Sequence, residues 1–167
     1  MRSKTGHWTT KTFTGTTLGL LAATGFFTTP ATAASPPDRH YVVAERTGPG
    51  APPPFSEGVV VGDTLYIAGH IGIDPKTGKA PDDAQQEARL VMDAIQHAVT
   101  SAGFQMSDVV SMEVFCTDLR LYDTFNAVYR TYFSSGNYPA RAFIGAHEIL
   151  RGGHFEVLGI AVRNAKK

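Results

Sequence analysis

The 167-residue chain contains a single cysteine, Cys116, so it cannot form a disulfide within itself. It also lacks an excess of positive charge, because 15 Lys and Arg residues are balanced by 15 Asp and Glu. Phosphate neutralisation requires a basic patch, so we expect no nucleic-acid binding. Since Cys116 follows Val114 and Phe115 and has no histidine near it in sequence, it is expected to be a buried hydrophobic residue and not a nucleophile.

Several catalytic and cofactor motifs are missing as well. The chain has no glycine-rich phosphate loop and no recognisable Ser-His-Asp arrangement. His147-Glu148 lacks the second histidine of a His-Glu-x-x-His motif, and His154 with Glu156 offers two metal ligands where a site needs at least three. We therefore expect neither a metal nor a cofactor.

Residues 1–34 have the pattern of a removable export signal. Three basic residues come before any acidic one: Arg2, Lys4 and Lys11. An apolar stretch follows at 18–27 and an Ala-x-Ala cleavage site at 31–33. The stretch is interrupted by Gly and Thr and is too short to span a bilayer. The mature protein is thus predicted to be exported, periplasmic or secreted, with 12 basic and 15 acidic residues and no membrane anchor. A disordered tail or a misplaced start codon is the alternative.

The remainder reads as a linker at 35–40 and one domain at 41–167. A first strand is predicted at 41–45, and prolines and glycines at 48–54 exclude regular structure there. Two apolar runs, 57–61 and 64–68, are joined by Gly62-Asp63, which is typical of an antiparallel hairpin.

Two amphipathic helices and further strands follow. The first helix begins after Asp83, carries an apolar face from Ala84 to Ala102 and ends at Gly103. In a strand over 108–118, Val110, Met112, Val114 and Cys116 are predicted to share one face. A second helix spans 121–133, and a C-terminal hairpin is predicted from 138–146 and 154–162, with Gly152-Gly153 as its turn. This order indicates an α+β fold, a sheet with two helices on one face.

Arg141 is the strongest candidate functional residue. It lies on a predicted strand between hydrophobic neighbours, and arginine cannot lose its proton to escape burial. Its guanidinium therefore needs an anionic partner. That partner is either a protein carboxylate, with Glu156 on the neighbouring predicted strand as a candidate, or the carboxylate of a ligand.

Four blocks of the chain, in order and spacing, resemble the Rid family of reactive-intermediate deaminases, also called the YjgF or L-PSP endoribonuclease family. The first two are Pro54-Phe-Ser-Glu-Gly-Val59 and Ala68-Gly-His-Ile-Gly-Ile-Asp-Pro75. The third is Asn126-Ala-Val-Tyr129 with Phe133, and the fourth is Pro139-Ala-Arg141 with Glu156 and Ile160-Ala-Val162. The resemblance covers about residues 41 to 163.

This resemblance implies a chorismate-mutase-like fold with a six-stranded, mostly antiparallel sheet and two helices on one face. Three subunits close into a barrel, and clefts between the subunits bind small carboxylates. The implied reaction is hydrolysis of enamines and imines such as 2-aminoacrylate to 2-oxo acids and ammonia, without a cofactor. Arg141 matches the arginine that holds the substrate carboxylate, Gly69 matches a backbone donor, and Asn126 also matches.

Four positions depart from the family pattern, one of them Ala68, where the family often has serine. Counting from Arg141 without a gap, Leu158 occupies the position of the glutamate that holds the attacking water. Phe55 replaces a frequent tyrosine, and Phe143 replaces a small residue or cysteine, which predicts a narrower, more apolar pocket. Four residues are candidates to act in place of the missing glutamate, two as carboxylates and two as bases: Glu57, Glu148, His70 and His147. The alternative to a deaminase is a non-catalytic trimer that binds small carboxylates or hydrophobic partners in the same clefts.

Overall fold

The computed structural model of the chain describes residues 38–43 and 53–163. The described part contains six strands and two α-helices, joined in places by short 3-10 turns. In chain order they are β1 (Arg39–Val42), β2 (Gly58–Val61), β3 (Thr64–Ile71), α1 (Ala84–Ser101), β4 (Val109–Cys116), α2 (Tyr122–Tyr129), β5 (Ala140–Gly145) and β6 (Phe155–Val162). The predicted export signal, half of the linker and much of the proline-rich loop lie outside the described residues. β1 begins two residues before the strand predicted at 41–45.

The local predictions with the strongest sequence signals are confirmed. β2 and β3 form an antiparallel hairpin in which Val61 pairs with Thr64, and Gly62 supplies the positive φ that the tight turn requires. α1 starts at Asp83, whose carboxylate accepts a hydrogen bond from the backbone N–H of Gln85. It ends just before Gly103, which adopts a φ of 77°.

The sheet has the strand order β1-β2-β3-β6-β4-β5. Four of the neighbouring pairs are antiparallel, whereas β4 and β5 are parallel. The predicted C-terminal hairpin is therefore wrong, because β6 lies between β3 and β4 while β5 pairs with the other side of β4. The physical reason is burial. Alternate residues of β6 are buried, as suits a central strand, whereas half of the β5 residues or more are exposed and suit an edge.

Both helices cover one face of this sheet. α1 packs across β3 and β6 through fully buried residues such as Val91, Met92 and Ile95, and α2 packs beside α1. α2 reaches the sheet through Phe125, whose ring lies 4.9 Å from the ring of Phe155. The helix predicted over 121–133 is observed as α2 with a 3-10 turn at each end. None of the described helices is long and apolar enough to cross a membrane.

None of the described helices or loops forms a layer over the opposite face of the sheet. Cross-strand neighbours on it include Tyr66 and Ile160, and Phe115 pairs with both Glu156 and Ile144. Tyr66 is 52% exposed and Ile144 39%. We call this surface the open face. Its exposed apolar side chains, which alternate with Glu113 and Glu156, are of the kind that marks a protein–protein contact.

A register shift at the start of β4 corrects one predicted face. Met112, Val114 and Cys116 are buried under the helices as expected, but Val110 is 42% exposed and Val109 is buried in its place. The pairing of β4 with β6 slips between Val109 and Ser111. Such a bulge inserts one residue into the strand, so the alternation of side chains reverses at that point.

Candidate functional site

Arg141 lies on β5, on the same face of the sheet as α2. Its guanidinium carbon is 4.5 Å from the centroid of the Tyr129 ring and 5.7 Å from the ring of Tyr122. Nη2 also donates to the Tyr122 hydroxyl, at a long 3.5 Å. Among the described residues, no carboxylate forms an ion pair with Arg141. The aromatic rings hold the cation by cation–π attraction, and apart from the long bond to Tyr122 its N–H groups have no partner among the described residues and can bind an anion.

A pocket of about 340 Å³ opens in front of this guanidinium. Its lining is polar and aromatic and includes Tyr122, Asn126, Tyr129, Arg130, Tyr138 and Arg141. Most of these residues come from one side of α2 and the turn after it, because residues three and four apart lie on the same face of a helix. We call this set the Arg141 group.

Two aromatic residues, the buried Tyr129 and the half-buried Phe143, shape the group. Tyr129 is 4% exposed, its hydroxyl has no hydrogen-bond partner among the described residues, and burial raises its pKa to about 12. The hydroxyl is therefore a protonated donor at neutral pH. Phe143 lies two residues after Arg141 on the same face of β5, with its ring edge-on to Tyr122 and Phe125 at 5.0 and 5.6 Å. Phe143 packs against these rings without lining the pocket itself, so the narrower pocket stays a prediction.

Gly69 belongs to a second pocket on the open face, of about 330 Å³. Phe55, Ala68, Ile71, Leu150 and Glu156 line it as well. The Glu156 carboxylate lies directly over the Gly69 α-carbon, in space that a Cβ would have to enter. We call this set the Gly69 group. Phe55, the aromatic residue of this group, is 63% exposed, so the aromatic wall of the pocket is open to solvent.

The two groups cannot act on the same small molecule within one chain. β3, which carries Gly69, is separated from β5 by β6 and β4, about 14 Å across the sheet at the usual strand spacing. They also use opposite faces. Arg141 pairs with the helix-side residue Met112, whereas Glu156 pairs with Phe115 on the open face. A site made of both groups needs a second copy of the chain.

The structure thus sorts the predicted site residues into three places. Arg141, Asn126 and Phe143 lie together, Phe55 and Gly69 lie together, and Leu158 belongs to neither pocket. Leu158 faces Glu113 across the β6–β4 pair on the open face. The glutamate is missing at 158, but Glu156 places a carboxylate beside Gly69, which none of the four replacement groups considered from the sequence does. The predicted Arg141–Glu156 salt bridge is absent for the reason given above.

The other candidate bases do not join these pockets. Glu148 and His147 are exposed in the connection after β5, and Glu57 precedes β2. His70 follows Gly69, but its register partner is the helix-side residue Val157, and its Nε2 is buried without a hydrogen-bond partner among the described residues. Burial lowers the pKa of His70, so its imidazole is neutral at pH 7.

Sequence reasoning missed a buried carboxylate that supports the Gly69 group. Glu87 on α1 is 0% exposed. It accepts hydrogen bonds from the His154 and Phe155 backbone N–H groups and from His154 Nδ1, at 2.6, 2.8 and 2.6 Å. These bonds fix the start of β6, next to Glu156. The sequence contained one indication that Glu87 is buried. It lies four residues before Val91 and therefore on the apolar face of α1.

Cys116 is buried, and its thiol donates to the Asp118 carbonyl oxygen at 3.1 Å. Desolvation raises its pKa, so it stays protonated and fits the predicted structural role. Within the described ranges, no group of three or more His, Cys, Asp or Glu side chains is placed to hold a metal ion.

Known proteins share both the sequence pattern and this fold. Residues 46–163 match the model of the family described as Endoribonuclease L-PSP. The 2-iminobutanoate/2-iminopropanoate deaminase of Escherichia coli K12 is 33% identical over 123 residues, covering 72% of this chain and 96% of that protein. The enzyme of the same name from Bos taurus is also 33% identical, covering 73% and 89%.

Solved structures of similar proteins share this fold. The structure of Escherichia coli TdcF with bound serine has a TM-score of 0.67 and 32% identity, covering 75% of this chain and all of that one. RidA from an Antarctic Psychrobacter has a TM-score of 0.65 and 31% identity, covering 74% and 99%. With four sequence blocks, the six-stranded sheet and two helices all in agreement, the chain belongs to the Rid family, also known as the YjgF or L-PSP endoribonuclease family.

Proposed function

We propose that this protein hydrolyses the imines and enamines of small 2-amino acids to 2-oxo acids and ammonia. The observation that carries the proposal is the free guanidinium of Arg141, which aromatic rings hold in a pocket without a carboxylate partner among the described residues. A partly buried cation in this state fits a bidentate ligand carboxylate. Relatives named for 2-iminobutanoate and 2-iminopropanoate and a solved relative with bound serine support the same substrate class.

The complete site is proposed to form between copies of the chain. Three copies would bury their open faces together and bring the Arg141 group of one copy against the Gly69 group of the next. This arrangement accounts for the exposed Tyr66, Ile144 and Phe55, which a lone copy leaves in water. It also solves the geometric problem that the two groups lie on opposite faces of one sheet.

In such a site, each group has a chemical task. Arg141 binds and orients the substrate carboxylate, so the neighbouring imine carbon is held in one place. Glu156, from the adjacent copy, accepts a proton from a water molecule that adds to this carbon. The carbinolamine that forms then loses ammonia, with a proton delivered to the leaving nitrogen, and leaves the 2-oxo acid. A positioned general base of this kind contributes about 10²–10⁴ in rate.

The test generates 2-iminopropanoate in situ with an amino-acid oxidase and traps the surviving imine with semicarbazide. We expect purified protein to shorten the lifetime of the imine, Arg141→Ala to abolish the effect, and Arg141→Lys to restore a part of it, since a point charge lacks the fork geometry. Arg89→Ala, which removes a cation from an exposed position on α1 outside this pocket, is the matched control. No acceleration at any protein concentration would favour the non-catalytic carboxylate-binding trimer instead.

We also propose that residues 1–34 direct export and are then removed. The basic start, the apolar stretch and the Ala-x-Ala site support this. Sequencing of the N-terminus of the protein recovered from its native host should find a start near Ala34 or Ser35. A full-length protein retained in the cytoplasm would contradict it.

A further inference from the structure

The pocket of Arg141 contains a second arginine that the proposed reaction does not use. Arg130 lies at the end of α2 and lines the same pocket. It follows Tyr122 and Asn126 at intervals of four residues, so the three lie along one face of the helix, each about 6 Å further along its axis. In the part of the chain that the structure describes, no carboxylate forms an ion pair with Arg130.

The charged side chains that line this pocket, as far as the structure describes it, are therefore all positive. The lining includes two guanidinium groups and no aspartate or glutamate. Two cations facing one small cavity repel each other, and the repulsion is relieved most by a ligand that brings a negative charge to each. Charge-assisted hydrogen bonds from arginine to carboxylate are about twice as strong as neutral ones, so a second carboxylate gains more here than a second hydroxyl.

The space around Arg130 is also polar. Asn126 lies one helical turn before it and lines the same pocket. The Tyr129 hydroxyl is an unpaired buried donor in the same wall. An alkyl or phenyl substituent placed there would leave these groups without partners, which costs binding free energy, whereas a polar substituent would satisfy them.

We infer that the pocket selects short dicarboxylic substrates, the imines of acidic amino acids, with one carboxylate on Arg141 and the distal carboxylate on Arg130. This inference rests on the proposed function, because it names a substrate class for the same site. The reaction is unchanged. Water adds across the carbon–nitrogen double bond, ammonia leaves and the dicarboxylic 2-oxo acid remains, with no oxidant or reductant consumed.

The experiment compares 2-iminoglutarate with 2-iminopropanoate, each generated in situ by an oxidase from glutamate or alanine. The wild-type protein is expected to show the higher kcat/KM on 2-iminoglutarate. Arg130→Gln should lower the ratio of the two kcat/KM values by up to about fivefold, the range for an exposed ion pair. Arg151→Gln removes an exposed arginine outside this pocket and should leave the ratio unchanged.

A binding measurement separates this inference from the proposed function. Calorimetry compares 2-oxoglutarate with pyruvate on the wild-type protein and on Arg130→Gln. A preference for 2-oxoglutarate that is lost in the variant, without any imine hydrolysis, would support the dicarboxylate pocket and overturn the deaminase. Hydrolysis of 2-iminopropanoate with no dicarboxylate preference, or with a ratio that Arg130→Gln does not change, would keep the deaminase and overturn the inference.

Discussion

The carboxylate of Glu156 occupies the space directly above the α-carbon of Gly69. The two residues lie on adjacent strands, β6 and β3, and 87 positions apart in sequence. Glycine at 69 is thus explained by a close approach, in addition to any need for a backbone donor. The same contact places a carboxylate in the Gly69 group, which counting along the sequence did not anticipate.

Gly69→Ala should disrupt the chemistry more than the fold. A Cβ at 69 overlaps the flexible end of Glu156, which can swing away, so we expect a loss of stability below about 1 kcal/mol. Imine hydrolysis should fall to the level of Glu156→Ala. In the Glu156→Ala background, where the overlap is gone, Gly69→Ala should have little further effect on rate. Additive losses in this double-mutant cycle would show that the two residues act independently.

Glu87→Ala should destabilise the protein markedly. The substitution leaves the His154 and Phe155 donors unpaired and a void under β6, for which we expect a loss of about 2–4 kcal/mol. Urea unfolding of the wild type and the variant measures this change in the free energy of unfolding. Gln86→Ala, at the exposed neighbouring position on α1, is the matched control and should change stability by less than about 0.5 kcal/mol. Similar values for both variants would mean that Glu87 contributes nothing specific.

His70 should make stability depend on pH in the weakly acidic range. Its pKa is lowered in the folded state by burial, so the unfolded chain binds the proton more tightly. Stability that is present above the unfolded value of about 6.5 is then lost as the pH falls below it. His70→Gln should flatten this slope between about pH 6.5 and 5, whereas His147→Gln, at an exposed position, should not. An unchanged slope in His70→Gln would assign the pH dependence to other groups.

Ile160→Glu should prevent association without unfolding the chain. Ile160 lies on the open face between Tyr66 and Ser111, so the new carboxylate points away from the core. Light scattering should report a trimer for the wild type and a monomer for the variant, with the circular dichroism of the fold retained. Gln96→Glu, on the exposed side of α1, adds the same charge elsewhere and should remain a trimer. A wild-type monomer would overturn the proposed composite site.

The elements with local causes could be predicted from the amino-acid sequence. Gly62 forms the β2–β3 turn, Asp83 caps α1, Gly103 ends it, and the apolar periodicities identify which side chains face the core. Four short blocks of sequence also identified the family, because turn glycines and strand patterns involve residues that are adjacent in the chain. The same local information located Arg141 and Gly69 as candidates.

Which candidate residues meet depends on how the strands pair in the folded chain. Strand pairing joins distant segments, and nothing local to β5 or β6 states that they flank β4 on opposite sides instead of pairing with each other. The assumed hairpin made Glu156 a partner for Arg141, whereas the sheet places it over Gly69 on the other face. The bulge that exchanges Val109 and Val110, and the burial of Glu87 beneath His154, likewise depend on contacts between segments far apart in the chain.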